Sequence, residues 1–452
     1  MAAPRVVHLD APSGDRYAAP MFVRRLNNQS QTPGSAAGWD DLRAHNTALL
    51  LREIWGDEGL SRADLARRSG LSRATVSDIV GEFVAYGVVV EAEAAPSSGG
   101  RPPIRLEFQD GWRHLLGIEL GASHVSGVRT DLRGRVIARF STAQDVEGDP
   151  QGTLAALDAG IVSLLAADPT TEVLGVGLGV PSPVRSSDGG RLASHLFPKW
   201  VGIDLHTHLT AAHGLPVHLD NDANLGALGE HWWGAGQDVT DLAYIKVATG
   251  VGAGILIDGR IHRGATGIAG EIGHTTIDPI GPRCRCGLSG CLEAMVGTAS
   301  LMARAEQYIA RSGSRPAWAS PRPTVAGMIQ SAHAGDPLAT ELVTSAGEWL
   351  GVAIANLLNL VNPGRVVLGG RLTDAGSLLV TPLLAAVERR ALWTSVAGSN
   401  VVIGALGDDA VALGAATLVL QRALAAPSFF AAAEPSSRLP LLPPSPSNRL
   451  PA

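Results

Sequence analysis

All three cysteines of this 452-residue chain lie between positions 284 and 291, in the run GEIGHTTIDPIGPRCRCGLSGCLEA. Core packing gives no reason to gather every thiol into eight residues, and three cysteines cannot build a disulfide framework. His274 precedes Cys284, Cys286 and Cys291, with nine, one and four residues intervening, so one loop can wrap a single ion. Three thiolates and one imidazole form a closed tetrahedral zinc set, which implies a structural metal with no open position for Lewis-acid chemistry. Any fold for this chain must therefore accommodate a stapled loop around residue 280. Glu271 stands three residues before His274 and Glu293 two after Cys291. A metal would hold both carboxylates on that loop and leave the second His274 nitrogen to bond a hydroxyl-bearing ligand. The competing reading is that both glutamates are solvated surface charges.

Hydrophobic residues make up 45% and charged residues 17%, which excludes disorder throughout. The net charge of −6 excludes a wholly basic nucleic-acid coat, though not a local basic face. No apolar run reaches the roughly 18–20 residues of a membrane span, and the first residues lack a signal-peptide pattern. A reducing cytoplasm is the expected compartment. Only Lys199 and Lys246 are lysines, against 34 arginines among the 36 basic residues, which fits the codon bias of a GC-rich genome.

Residues 1–40 carry Pro, Ser, Gln and Asn without periodicity and read as a disordered leader; residues 426–452 are rich in Pro, Ser and Ala and read as a disordered tail. Residues 41–108 predict three helices and a hairpin. The first helix ends near Gly56, the second runs from Ser61 to Gly70, and the third follows Ser72. The segment SRADLARRSGLSRATVSDIV fits a helix–turn–helix that exposes Ser72, Arg73, Thr75 and Ser77 to a major groove. The tip SSGGRPP would make a wing laying Arg101 along a backbone or in a minor groove. Eight arginines and ten acids leave residues 41–108 at −2, so non-specific affinity should be modest and salt-dependent. A small helical protein-interaction domain is the alternative.

From residue 112 to about 425 strands and helices alternate, the pattern of an α/β protein. Ile118 precedes a hairpin turn at Asp131, and Ile245 one at Asp258, both at intervals of 13. Two copies of one strand–turn–hairpin unit predict two similar lobes, about 112–238 and 239–425. Asn221 and Asp222 follow the strand VHLD; Asn can bond a polyol and Asp can act as a general base, while a simple helix cap explains both residues equally well. Glycine turns at ELGAS (119–123), ATGVGAG (248–254) and LGG (368–370) could cradle phosphate, although tight turns need glycine anyway.

Together these motifs resemble the ROK family (repressor, open reading frame, kinase), over about residues 41–425. The resemblance rests on the CRCGLSGCLE run, the upstream EIGH, and the helix–turn–helix with its GGRP wing. It implies an α/β two-lobed sugar-kinase/actin-like (ribonuclease H-like) domain preceded by an α+β winged helix–turn–helix. It implies sugar binding by Asn221, Asp222, Glu271, His274 and Glu293, with Asp222 the catalytic base if the protein is a kinase. It places Gly121, Ser123, Thr249 and Gly250 in phosphate loops and Gly369 and Gly370 in the adenosine region, with ATP and magnesium as co-substrates only of an active kinase. The winged head matches the repressor branch, whose partners would be a DNA operator, a sugar or sugar phosphate, and a second copy in a homodimer or homotetramer. The chain departs from the kinase pattern at Glu119, Ala122 and Ser182, which speaks against ATP use and leaves the sugar residues intact.

Overall fold

The computed structural model describes residues 7–8, 39–92, 104–184, 190–193, 196–392 and 400–426. The head is formed by α1 (Trp39–Gly56), α2 (Arg62–Ser69), α3 (Arg73–Ala85) and a two-stranded hairpin, β2 (Val89–Ala92) and β3 (Arg105–Phe108). Local signals set its punctuation. Ser61 caps α2 and exchanges hydrogen bonds with Asp64, three residues on. Gly70 ends α2 at φ +71°, a left-handed conformation that favours glycine, and Ser72 caps α3 immediately afterwards. The two helices so joined are the predicted helix–turn–helix. The wing tip with Arg101 lies outside the described residues.

The remainder contains two sheets of matching topology. In the first, β1 (Val7–His8), β6 (Val136–Ala143), β5 (His124–Thr130) and β4 (His114–Leu120) pair antiparallel, and β7 (Val173–Val180) and β8 (Val217–Asn221) extend it in parallel. In the second, β11 (Arg260–Ile261), β10 (Val251–Ile257) and β9 (Leu242–Val247) pair antiparallel, and β12 (Arg365–Gly369) and β13 (Val401–Ile403) extend it in parallel. Ile118 and Ile245 occupy equivalent positions in β4 and β9, so the repeat at intervals of 13 is a repeat of structure. Two details depart from expectation at the leader. Val7–His8 pair with the free edge of β6, whose backbone groups would otherwise lack partners, and α1 begins at Trp39 instead of 41. The other residues of 1–38, and the tail from 427, lie outside the described residues.

The first sheet is covered on its outer face by α4 (Pro150–Ala167), which buries Leu154, Leu157, Ile161 and Leu164. By length and composition α4 could cross a membrane, but it lies along β5 and β6. Arg129, fully buried, donates to the carbonyls of Leu164, Leu165 and Thr171 and so satisfies the end of α4. Between β7 and β8 runs α5 (Leu205–His213). The second sheet carries α7 (Leu292–Val296), α8 (Thr298–Ser312), α9 (Val325–His333), α10 (Pro337–Leu360) and α11 (Ser377–Glu388) around its own core.

The expected lobe boundaries need correction. Helix α6 (Asp222–Trp233), assigned with the first lobe, packs on β9 and β10 of the second sheet. Helix α12 (Ala410–Ala425), assigned with the second lobe, packs on β4 and β7 of the first. The two helices pack on each other, giving a sheet–α12–α6–sheet stack. Glycines make the exchange possible. A Cβ on Gly117 or Gly177 would sit 1.9 Å from the carbonyl oxygen of Ala412 or Ala415, and one on Gly414 1.8 Å from that of Leu225.

The head is seated on this stack. Trp55, at the end of α1, has its ring centroid 5.4 Å from that of Trp232 and 6.4 Å from that of Trp233, both at the end of α6. Its indole N–H donates to the Leu132 carbonyl, and the Arg133 guanidinium lies 4.7 Å above its ring while donating to its carbonyl. Removing a buried aromatic of this size costs about 3–5 kcal/mol. Trp55→Ala should therefore lower stability by about that much and speed amide exchange across residues 39–92. Urea unfolding and hydrogen-exchange mass spectrometry would show it; unchanged exchange in the head would mean that these contacts do not hold it.

Candidate functional site

The cysteine loop folds back on itself through short antiparallel bridges, Thr276 with Cys291 and Arg283 with Ser289. One donor atom from each of His274, Cys284, Cys286 and Cys291 lies within 4.8 Å of all the others. Cys286 Sγ is 3.6 Å from Cys291 Sγ, and Cys284 Sγ is 3.7 Å from His274 Nδ1. A tetrahedron with metal–sulfur bonds of about 2.3 Å has edges of about 3.8 Å, so the set fits a single ion. Burial, reinforced by the neighbouring sulfurs, pushes the Cys291 thiol up to about 12, so holding it as a thiolate at neutral pH calls for a cation. With Nδ1 turned to the thiols, His274 Nε2 faces Glu271 Oε2 at 3.9 Å.

Behind this loop a cavity of about 1170 Å³ opens between the lobes. All five residues that the family resemblance assigns to sugar line it: Asn221, Asp222, Glu271, His274 and Glu293. The placement of the first two follows from the exchange of helices. Asn221 caps α6, its Oδ1 accepting the Ala223 and Asn224 amides, and Asp222 begins the helix. The expected cap is thus made by Asn221, and both residues also line the cavity. Glu293 is buried, not solvated; its Oε2 accepts the Val251 amide and its Oε1 faces Arg285 Nε at 3.3 Å. Glu271 is half-buried, and burial together with the Asp222 and Glu293 carboxylates raises its pKa against the opposing pull of His274.

Of the residues assigned to nucleotide, Gly121, Ser123, Thr249, Gly250 and Gly370 also line the cavity. Gly369 does not. It is buried in β12, where a Cβ would meet the Tyr244 hydroxyl at 2.0 Å, so its small size serves packing. Sequence reasoning noted Lys246 only as a rare lysine. Its Nζ donates to Glu119 Oε1 at 2.6 Å and to Asp222 Oδ2 at 2.8 Å at the cleft floor. Burial alone would raise the Glu119 pKa, but Lys246 and His124 hold it down at about 2. Burial disfavours the Lys246 ammonium, yet Asp222 and Glu119 keep its pKa above the ordinary lysine range. Its adjacency to the glycine turn 248–254 was the signal available.

On the head, Ser72, Arg73 and Ser77 are exposed and Thr75 is half-buried, all at the start of α3. Ser72 and Thr75 also serve the cap, their hydroxyls 2.9 Å apart. Arg62, Arg67 and Arg68 are tied to Glu91, Asp64 and Asp57 respectively. Among the described residues Arg73 makes no ion pair, so its charge projects from the α3 face.

Two matched lobes, a cleft walled by carboxylates and amides, and a helix–turn–helix head define a two-lobed α/β cleft protein of the sugar-kinase type fused to a winged helix–turn–helix. Residues 115–422 match the model described as ROK family, and residues 46–90 match the model described as Winged helix-turn-helix DNA-binding. The chain belongs to the ROK family. It is 35% identical over 392 residues to a putative xylose repressor of Caldicellulosiruptor sp. (strain Rt8B.4), covering 85% of this chain and 97% of the relative. The crystal structure of a ROK family transcriptional regulator, homologous to E. coli MLC protein, matches with TM-score 0.72 and 28% identity, covering 85% of this chain and 97% of the other. A ROK family glucokinase from Streptomyces griseus, solved with glucose and AMPPNP, matches with TM-score 0.60 and 27% identity, covering 68% of this chain and 99% of the other.

Cys286→Ser should abolish metal binding while leaving the head folded. Atomic absorption on the purified variant, beside far-UV circular dichroism, is the check; metal retained at one ion per chain would refute the four-ligand set.

Proposed function

We propose that this protein is a sugar-responsive transcriptional repressor of the cytoplasm, with an operator read by α3 and the wing and a sugar held in the interlobe cleft. The observation that carries this reading is the double role of α6. Its first residues, Asn221 and Asp222, wall the cleft, and its last, Trp232 and Trp233, hold Trp55 of the head. Twelve helical residues span about 18 Å, so ligand and head grip the two ends of one rigid rod. The putative xylose repressor and the ROK family transcriptional regulator cover both head and cleft domain, which supports the same assignment.

In this reading the sugar hydroxyls bond Asn221, Asp222, Glu271, His274 and Glu293. Asn221 Nδ2, whose present bonds to the Ser182 carbonyl and Asp222 are 3.4 and 3.2 Å long, can turn to a hydroxyl oxygen. Zinc, when bound, supplies four fixed bonds that set the loop carrying Glu271 and Glu293. His274, held through Nδ1, is then left to present Nε2 to the cleft. Glu230 joins the two chain crossings between lobes by accepting the amides of Ala235, Ala405 and Leu406, so lobe closure bends the chain beside α6. In a homodimer or homotetramer this changes the spacing of two heads on a roughly palindromic site. Switching occupancy from 1:99 to 99:1 requires the sugar to prefer one state by about 5.5 kcal/mol.

The principal test is thermal-shift screening against monosaccharides, their 6-phosphates and N-acetylated forms. At least one should raise the melting temperature, and Asn221→Ala should remove that rise. Flat melts for every compound would leave the cleft domain as a dimerisation module only. Arg73→Ala should weaken operator binding by about 1–3 kcal/mol in a gel-shift titration if Arg73 reads a base; an equal loss on all duplexes would restrict it to phosphate. The second reading, an ATP-dependent sugar kinase with Asp222 as base, draws on the place of Asp222 in the cleft and on the Streptomyces griseus glucokinase match. Coupled ADP release should stay at background for wild type; turnover abolished by Asp222→Asn would establish the kinase instead.

A further inference from the structure

At the cleft floor one cation is held between two acids, one from the first sheet and one from the start of α6. Lys246 rises from β9 of the second sheet, whereas Glu119 ends β4 of the first sheet and Asp222 begins α6. All three side chains are largely buried, at 12%, 5% and 15% exposure. The glycine turns 119–123 and 248–254 flank them and line the same cavity. The residue type is informative: in a chain with 34 arginines, one of only two lysines stands here. A guanidinium is a planar fork, while an ammonium is a compact point charge that fits between two carboxylate oxygens as a small cation does. Divalent ions bind carboxylate oxygens at about 2.0–2.6 Å, slightly closer than the ammonium does here, so the pair could close on one with little movement.

Asp222 remains usable in this state. A carboxylate offers about four lone-pair sites. Oδ1 takes the Ala223 amide and Asn221 Nδ2, and Oδ2 takes Lys246, which leaves one for a sugar hydroxyl. A nucleoside triphosphate, by contrast, needs a divalent ion beside its phosphates, and both acids of the floor are already engaged by Lys246.

We propose that Lys246 is the specificity-determining residue of the cleft: its ammonium takes the place between Glu119 and Asp222 that a divalent cation would otherwise occupy, so the cleft admits a sugar and excludes a metal–nucleotide complex. This rests on the reading of the cleft as a ligand site. It assigns the exclusion of a metal–nucleotide complex to one side chain of the second sheet, paired with Glu119 of the altered turn.

The test uses the full-length, zinc-loaded protein with Mn²⁺ as probe, followed by electron paramagnetic resonance and thermal melts. Wild type and Lys246→Arg should bind no Mn²⁺ at the cleft and show no melting shift. Lys246→Met should gain one Mn²⁺ per chain and melt higher with the ion than without it, because the ion replaces the lost counter-charge between two facing carboxylates. The double variant Lys246→Met/Glu119→Gln should lose that gain. Mn²⁺ bound equally by wild type and Lys246→Met, or no gain and no stabilisation in Lys246→Met, overturns the proposal. Should Lys246→Met prove unstable alone, rescue of its melt by Mn²⁺ supports the proposal and absence of rescue overturns it. Neither sugar nor DNA enters these readouts, so this failure is separable from failure of the repressor reading.

Discussion

The close packing of α6 against α12 is the contact on which the rest of the structure depends. Each helix leaves the half of the chain that encodes it and covers the sheet of the other half. The approach is possible only because backbone meets backbone: Gly229 faces the Ala410 carbonyl, and Gly414 the Leu225 carbonyl. Side chains of ordinary size would hold these surfaces apart and open the interlobe cleft at its root. The exchange also sets Asp222, the first residue of α6, against Lys246 of the second sheet.

The cleft divides into two chemical environments. Toward the cysteine loop, carboxylates and amides gather without a compensating cation on every acid: Glu271 rests against His274, and Asp222 is shared with Lys246. Such groups suit hydroxyls, which donate and accept. Toward the two glycine turns, Lys246 neutralises much of the charge that a metal would require. The loop geometry around His274 ties the first environment to the thiols, since one imidazole nitrogen faces sulfur and the other faces the ligand side.

The head is bound to its platform by more than a linker. Trp55, Trp232, Trp233 and Arg133 form one buried cluster that merges the core of the head with that of the first lobe. Arg62, Arg67 and Arg68 of the head are spent on local acids, which leaves Arg73 the charge at the start of α3. The place of the head is set by the seat of Trp55 on the last residues of α6.

Much of this was legible in the amino-acid order because it is local. Capping residues, glycine stops, the spacing of the cysteines after His274, and the repeated strand–turn–hairpin interval all act within a few tens of residues, where sequence distance and spatial distance agree. The five cleft-wall residues were also readable, as they sit beside those local motifs. What escaped depends on contacts between remote segments. Lys246 with Glu119 spans 127 positions, and Trp55 meets Trp232 across the boundary between head and cleft domain. The exchange of α6 and α12 escaped for the same reason: both are apolar on several sides, so periodicity identified helices without saying which sheet each would cover. Only the tertiary structure decided that, because the choice is made by backbone-to-backbone fit at glycines, and a glycine in sequence does not reveal which distant carbonyl it will receive.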